Sequence, residues 1–164
     1  ALAAYSNVRV EDAGLFGHSN GAGLVNRFLI ESDDARVQRA VTDASQLNVF
    51  QFHDGSFFVG GDDNAFTVPR PTLTRRRLLA VQGGSDPVVP AGGGEGQPQA
   101  FGRKLPFLSD GESAFAFARA YGHSGAAHEV GEVDDRRVVS YLDGAVVSVT
   151  VAQSGHGSVR PEAR

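Results

Sequence analysis

Short apolar runs and glycine-rich turns alternate in the first part of this chain. An apolar run of strand length, 13–16, comes directly before the pentapeptide 17–21, which reads Gly-His-Ser-Asn-Gly. Over 22–31 the apolar residues recur at the spacing of one helix face, namely Leu24, Val25, Phe28 and Leu29. The pattern therefore predicts a strand, a tight turn and a helix in immediate succession.

The rest of the chain adds further predicted strands and one clear helix. Strands are predicted at 37–41 and 77–82, and a hairpin at 137–142 and 145–152 around the turn Asp143-Gly144. Ser109 and Glu112 have the spacing of a capping box, which predicts a helix that ends at Gly122. Its inward positions are Ala114, Phe115, Phe117, Ala118 and Tyr121.

Several segments carry weaker signals. Residues 1–5 resemble the end of a helix, 46–74 has no helical period, and 91–106 is rich in glycine and proline and is predicted to be a flexible loop. A length of 164 residues indicates a single domain over 1–164, which is long enough to bury about two-thirds of its unfolded surface.

The strand, Gly-x-Ser-x-Gly and helix together form the setting of a nucleophile elbow. Such a turn places the Ser19 hydroxyl at the carboxyl end of a strand and over the N-terminus of a helix. The N–H of Asn20, the residue after the serine, is then one donor of an oxyanion hole. The alternative is a glycine-rich turn with a solvated serine, since the chain has 21 glycines in 164 residues.

An acid and a histidine follow the serine in the chain order that elbow enzymes use. Asp86 lies in a loop just after the strand predicted at 77–82, where α/β folds keep their sites. His156 stands between two glycines after the strand predicted at 145–152. Each residue alone is typical of a turn or a surface loop. Their order and their positions after strands predict a triad of Ser19, Asp86 and His156.

From Tyr5 to His156 the chain resembles the C-terminal half of an α/β-hydrolase. Segment 7–12, Ser19-Asn20-Gly21, segment 84–90 and segment 155–157 are similar to the approach strand, elbow, acid loop and histidine loop of polyhydroxybutyrate-depolymerase and feruloyl-esterase-like esterases. The resemblance implies a serine esterase without a cofactor that acts on small or polymeric esters, since cutinase-like polyester hydrolases share the fold. It also implies secretion.

The resemblance is incomplete at the N-terminal side. Only eighteen residues precede Ser19, whereas an α/β-hydrolase has several strands and one oxyanion donor before its elbow. The resemblance therefore implies an α/β fold with a truncated, mostly parallel sheet and flanking helices, which lacks the N-terminal strands. The chain is then a piece of a longer enzyme, a naturally reduced hydrolase, or a protein that pairs its open sheet edge with another copy. A catalytically impaired binding or interaction module is the alternative function, and acyl transfer to a non-water acceptor uses the same triad.

Aromatic residues concentrate in 46–74, which we expect to form loops beside the substrate pocket. Phe50, Phe52 and Phe58 are the candidate substrate-binding residues. The alternative is a small satellite core under a long loop. His53-Asp54 receives no role, because one such pair is typical of a surface.

Composition and charge exclude other classes of function. The net charge of −4 and the brevity of Arg75-Arg76-Arg77, which we expect to flank and solubilise the strand at Leu78, argue against nucleic-acid binding. No apolar run approaches the 18 residues of a membrane span. The glycines of 92–96 lack a phosphate-loop pattern. No metal site is expected, because its candidate ligands are too loosely spaced: His123, His128, Glu129 and Glu132.

Overall fold

The computed structural model describes residues 13–70, 73, 75–127 and 131–157. Within these ranges the chain forms a mixed α/β fold with two helices and eleven strands. The helices are α1 (Asn20–Glu31) and α2 (Asp110–Ala120). The strands are β1 (Ala13–His18), β2 (Val37–Asp43), β3 (Phe52–His53), β4 (Ser56–Val59), β5 (Val68–Arg70), β6 (Arg77–Gly83), β7 (Gly94–Ala100), β8 (Arg103–Phe107), β9 (Gly131–Val133), β10 (Arg136–Tyr141) and β11 (Val146–Val151). The helix end expected at 1–5 lies outside the described residues.

A six-stranded, mostly parallel sheet forms the centre of the fold, in the order β1-β2-β6-β11-β10-β9. The first four strands of this order are parallel, and β10 and β9 continue the sheet antiparallel. The predicted strand–turn–helix unit and the predicted C-terminal hairpin are therefore confirmed. Parallel pairing brings the carboxyl ends of β1, β2, β6 and β11 to one edge of the sheet.

Both helices pack on the same face of the sheet. Ala40, Leu78 and Val146 are neighbours in register on β2, β6 and β11, and all three are buried. They belong to one apolar cluster with Leu29 of α1 and Phe117 of α2. Burial of this face is the main stabilising contribution, because about 25 cal/mol is gained per Å² of apolar surface removed from water.

Among the described residues no strand pairs with the outer side of β1, and apolar side chains are exposed there. Phe16 on β1 and Leu24 on α1 are 66% and 67% exposed. Both line a groove of about 540 Å³ that runs along the edge strand and the helix. An uncovered strand edge is a template for association, so self-association through this edge stays a prediction.

The capping box at the start of α2 forms as the sequence predicts. The Ser109 hydroxyl accepts a hydrogen bond from the Glu112 N–H at 3.2 Å, and the Ser109 N–H donates to Glu112 Oε2 at 2.9 Å. Hydrogen bonds from the Ser109 backbone and hydroxyl lower the pKa of the Glu112 carboxyl. Phe117 and Tyr121 are buried on the inward face, as expected.

Two segments have more structure than their composition predicts. The prediction of a flexible loop at 91–106 is wrong, because β7 and β8 pair there as an antiparallel hairpin. Its turn at Phe101-Gly102 has positive φ at both residues, and Gly96 is required because a Cβ there would lie 2.6 Å from the Phe107 ring. The expected loops of 46–74 contain the small sheet β3-β4-β5. Its strands have only two to four residues, which is too short for a periodic signal.

The expectation that the arginine run 75–77 is solubilising is wrong at Arg76, which is only 4% exposed. Its guanidinium donates to the carbonyl oxygens of Ser32 at 2.6 Å, Val37 at 2.9 Å and Leu29 at 3.4 Å. Carbonyl groups at the end of a helix have no partner within the helix. Arg76 therefore satisfies the C-terminal end of α1 and joins it to the start of β2.

We expect Arg76→Met to lower the free energy of unfolding by at least about 2 kcal/mol, because it leaves several buried carbonyl groups without a donor. The matched control is Arg77→Met, which changes an exposed side chain on β6 and should stay within about 0.5 kcal/mol of the parent. Urea denaturation measures both values. Equal losses in the two variants would contradict the role given to Arg76.

Candidate active site

Ser19 occupies a strained turn between β1 and α1. Its backbone has φ 55° and ψ −118°, a region that residues other than glycine rarely adopt. Ser19 is the N-cap of α1, yet its hydroxyl makes no hydrogen bond to the helix backbone. Its N–H donates to the carbonyl oxygen of Asp43 at the end of β2, at 2.8 Å. The turn therefore releases the hydroxyl from helix capping and fixes the backbone to the neighbouring strand.

Gly17 allows this turn to close. A Cβ at Gly17 would lie 2.2 Å from the Gly21 carbonyl oxygen, a distance that no side chain tolerates. A Cβ at Gly21 would meet nothing within 4 Å. The two glycines of the pentapeptide therefore differ, and only the first is required for the close approach of β1 to α1.

The structure brings Ser19, Asp86 and His156 together. The Ser19 hydroxyl donates to Nε2 of His156 at 2.8 Å. The Nδ1–H of His156 donates to Oδ2 of Asp86, also at 2.8 Å. This is the hydrogen-bonding order of a nucleophile, a base and an orienting acid.

Asp86 is held in place by its own turn and by β6. Its Oδ1 accepts hydrogen bonds from the N–H groups of Val88 at 2.7 Å and Val89 at 3.0 Å. Its Oδ2 accepts one from Nε2 of Gln82 at 3.0 Å, in addition to the one from His156. Sequence reasoning missed Gln82, although a buried glutamine at the end of an apolar strand is a signal for such a contact.

The acid loop and the histidine loop pack backbone against backbone. The N–H of Ser85 donates to the Ser154 carbonyl oxygen at 3.0 Å, and the N–H of Gly84 donates to the Val151 carbonyl oxygen at 2.8 Å. A Cβ at Gly83 would lie 2.2 Å from the Gly155 carbonyl oxygen. The absence of a side chain at Gly83 therefore allows the close approach that delivers His156 to Asp86.

A second histidine–carboxylate pair, missed from the sequence, lies beside these residues. Nδ1–H of His18 donates to Oδ2 of Asp43 at 2.9 Å, and the His18 and His156 ring centroids are 5.5 Å apart. His18 is the second residue of the pentapeptide, which the Gly-x-Ser-x-Gly pattern leaves unspecified, and Asp43 ends β2. Both therefore lie at the carboxyl ends of parallel strands, where α/β folds place their functional groups. Their pairing across β1 and β2 is the direct result of the register, which places them opposite each other.

Asn20 is the first residue of α1. The N–H groups of a first helical turn have no partner within the helix, and the helix dipole places partial positive charge there. This position suits the stabilisation of an oxyanion next to Ser19. The oxyanion role of Asn20 stays a prediction.

The three candidate substrate-binding phenylalanines lie in different places. The Phe50 ring contacts the Phe101 ring at 5.1 Å between centroids, and Phe58 stacks on His53 at 3.7 Å. Phe52 packs against the core and lines a cavity of about 660 Å³. His156 lines a separate cavity of about 340 Å³ together with the rest of segment 153–157. The substrate contacts of Phe50, Phe52 and Phe58 stay a prediction.

Comparison of the chain with protein-family models, with curated proteins and with solved structures finds no match. In the described ranges, no helix is long and apolar enough to cross a membrane. Those ranges also contain no cluster of three or more histidine, cysteine, aspartate or glutamate side chains that could hold a metal ion, and His128 and Glu129 fall outside them. A functional interpretation therefore depends on the geometry of the site.

We expect Gly17→Ala to lower the free energy of unfolding by about 2 kcal/mol or more, since overpacking alone costs about 1–3 kcal/mol. Gly21→Ala should be neutral or stabilising by up to about 1 kcal/mol, because alanine is the better helix former. Urea denaturation of the two variants is a matched test. Similar stability in both would contradict the tight elbow.

Proposed function

We propose that this protein is a serine hydrolase of the α/β-hydrolase type and that it cleaves carboxylic esters. The observation that carries the proposal is the continuous hydrogen-bonded series from the Ser19 hydroxyl through His156 to Asp86, with both bonds at 2.8 Å. A second support is the strained backbone of Ser19, because such strain clusters at functional sites.

Acylation begins when Ser19 Oγ attacks the ester carbonyl carbon and His156 Nε2 accepts the hydroxyl proton. Asp86 keeps Nδ1 of His156 protonated and stabilises the imidazolium that forms. The Asn20 N–H and the N-terminal end of α1 stabilise the tetrahedral oxyanion. His156 then gives its proton to the departing alkoxide oxygen, and the acyl group remains on Ser19.

Deacylation repeats these steps with water as the nucleophile. His156 Nε2 accepts a proton from the water as its oxygen attacks the acyl carbonyl carbon. The same proton then returns to Ser19 Oγ as the acyl–serine bond breaks. The carboxylic acid leaves and the free serine is restored.

The substrates that we propose include polymeric esters such as hydroxyalkanoate or aromatic polyesters. Ser19 and His156 are half-buried rather than enclosed, and Asn20 is exposed. A nucleophile near the surface is accessible to a polymer chain as well as to a small ester. The proposal extends to a protein that acts outside the cell, where such polymers are degraded.

We expect Ser19→Ala to abolish covalent labelling by a fluorophosphonate and to lower kcat for a p-nitrophenyl ester by at least about 10⁴-fold, because loss of a triad nucleophile removes the covalent route. Intact mass and p-nitrophenol release measure the two effects. Ser124→Ala, in an exposed loop, is the control and should match the parent.

Parent-level turnover by a folded Ser19→Ala protein would contradict the assignment. A folded parent protein that takes no fluorophosphonate adduct would also contradict it. That second result would favour the hydrolase-like binding module.

A further inference from the structure

We propose that His18 is a positioning residue that holds the water for hydrolysis of the acyl-enzyme. This role rests on the proposed function, because it requires an acyl group on Ser19. In it, one water donates hydrogen bonds to two imidazoles, those of His156 and His18. His156 removes a proton from the water, and His18 orients it.

The His18 ring is anchored by a buried carboxylate. Its Nδ1 lies 2.9 Å from Oδ2 of Asp43, and the Asp43 side chain is only 4% exposed. A carboxylate accepts hydrogen bonds and does not donate them, so Nδ1 carries the proton in this contact. In the neutral imidazole, Nε2 is then a hydrogen-bond acceptor. His156 is prepared by Asp86 in the same way.

The His18 ring is partly exposed beside the segment that carries His156. The His18 side chain is 44% exposed, and within the described part of the chain its Nε2 has no hydrogen-bond partner. A Cβ built on Gly157 would lie 3.8 Å from Cε1 of His18, so the part of the ring that bears Cε1 lies beside the segment that carries His156. Cε1 is bonded to both ring nitrogens, of which Nδ1 is engaged with Asp43.

The spacing of the two rings suits one bridging water. Their centroids are 5.5 Å apart, with an angle of 49° between the ring planes. A water that donates along its two O–H bonds to acceptors at about 2.8 Å each holds those acceptors about 4.5 Å apart, and centroids 5.5 Å apart allow this separation between the two Nε2 atoms. Nε2 of His156 faces Ser19 Oγ, so a water at this position is next to the acyl group.

The step balances without a proton transfer to His18. The water oxygen forms a bond to the acyl carbon while one water proton passes to Nε2 of His156. The second hydrogen stays on the oxygen and donates to Nε2 of His18. The bond from the acyl carbon to Ser19 Oγ then breaks, and the proton on His156 moves to that oxygen. His18 therefore acts on deacylation and not on acylation, in which no water takes part.

The test separates the two half-reactions with p-nitrophenyl acetate. Excess enzyme gives the acylation rate from a single turnover of p-nitrophenol release, and intact mass follows the loss of the acetyl-enzyme. His18→Phe keeps a ring but removes the acceptor, whereas His18→Gln keeps an acceptor. His123→Phe is the matched control, since His123 packs against Phe115 and Tyr141, which have no proposed role in the reaction.

We expect His18→Phe to slow deacylation by about 10–100-fold, the scale of a misplaced reactant, with acylation changed less than about threefold. His18→Gln should recover part of the deacylation rate, and His123→Phe should match the parent. Asp43→Asn, which weakens the anchor of the ring, should also slow deacylation selectively and supports the inference if His18→Phe does not fold.

Equal slowing of acylation and deacylation would overturn the inference, because it would show that His18 only supports the structure of the turn that holds Ser19. Unchanged deacylation in His18→Phe would overturn it as well. In both of these outcomes the proposed function still holds if the parent protein forms an acetyl-enzyme. A folded parent that forms neither the acetyl-enzyme nor a fluorophosphonate adduct would refute the proposed function, and the role of His18 with it.

Discussion

Parallel pairing of β1, β2, β6 and β11 is the constraint on which the rest of this structure depends. Because the four strands run in one direction, the segments that follow them all emerge at one edge. Ser19 follows β1, Asp86 follows β6 and His156 follows β11, while Asp43 ends β2. Residues far apart in the chain therefore meet without a long loop to connect them. A slip of one residue in any pairing would turn the terminal side chains to the other face of the sheet.

Close backbone contacts then convert this meeting into hydrogen-bond distances. At Gly17 and at Gly83 the chain passes other backbone atoms too closely for any side chain. These contacts fix the serine against α1 and the acid loop against the histidine loop. The unfavourable φ of Ser19 persists because two contacts hold the turn. The Ser19 N–H donates to the carbonyl oxygen of Asp43 on β2, and α1, which follows the turn, packs on the core.

Local signals in the sequence predicted the parts of the molecule that local chemistry determines. The elbow, the capping box of α2 and the β10–β11 hairpin all depend on residues within a few positions of one another. The order of Ser19, Asp86 and His156 predicted their meeting because strand ends converge in a parallel sheet. The burial of Arg76, the pairing of β7 with β8 and the contact of His18 with Asp43 depend on register and packing between distant segments. From residue type alone, Arg76 is interpreted as a solubilising charge and the β7–β8 segment as a flexible loop. His18 is interpreted as an unspecified position of the Gly-x-Ser-x-Gly pattern.

The bond between Ser19 and His156 joins residues that are 137 positions apart. The ribosome adds the serine long before it adds the histidine, and N-terminal segments begin to fold during synthesis. The hydroxyl therefore has no base until the 137 following residues are made and β11 has docked on β6. Contacts of such long range form slowly. The proposed nucleophile thus gains its base only late in folding, which would protect the nascent chain from premature acylation.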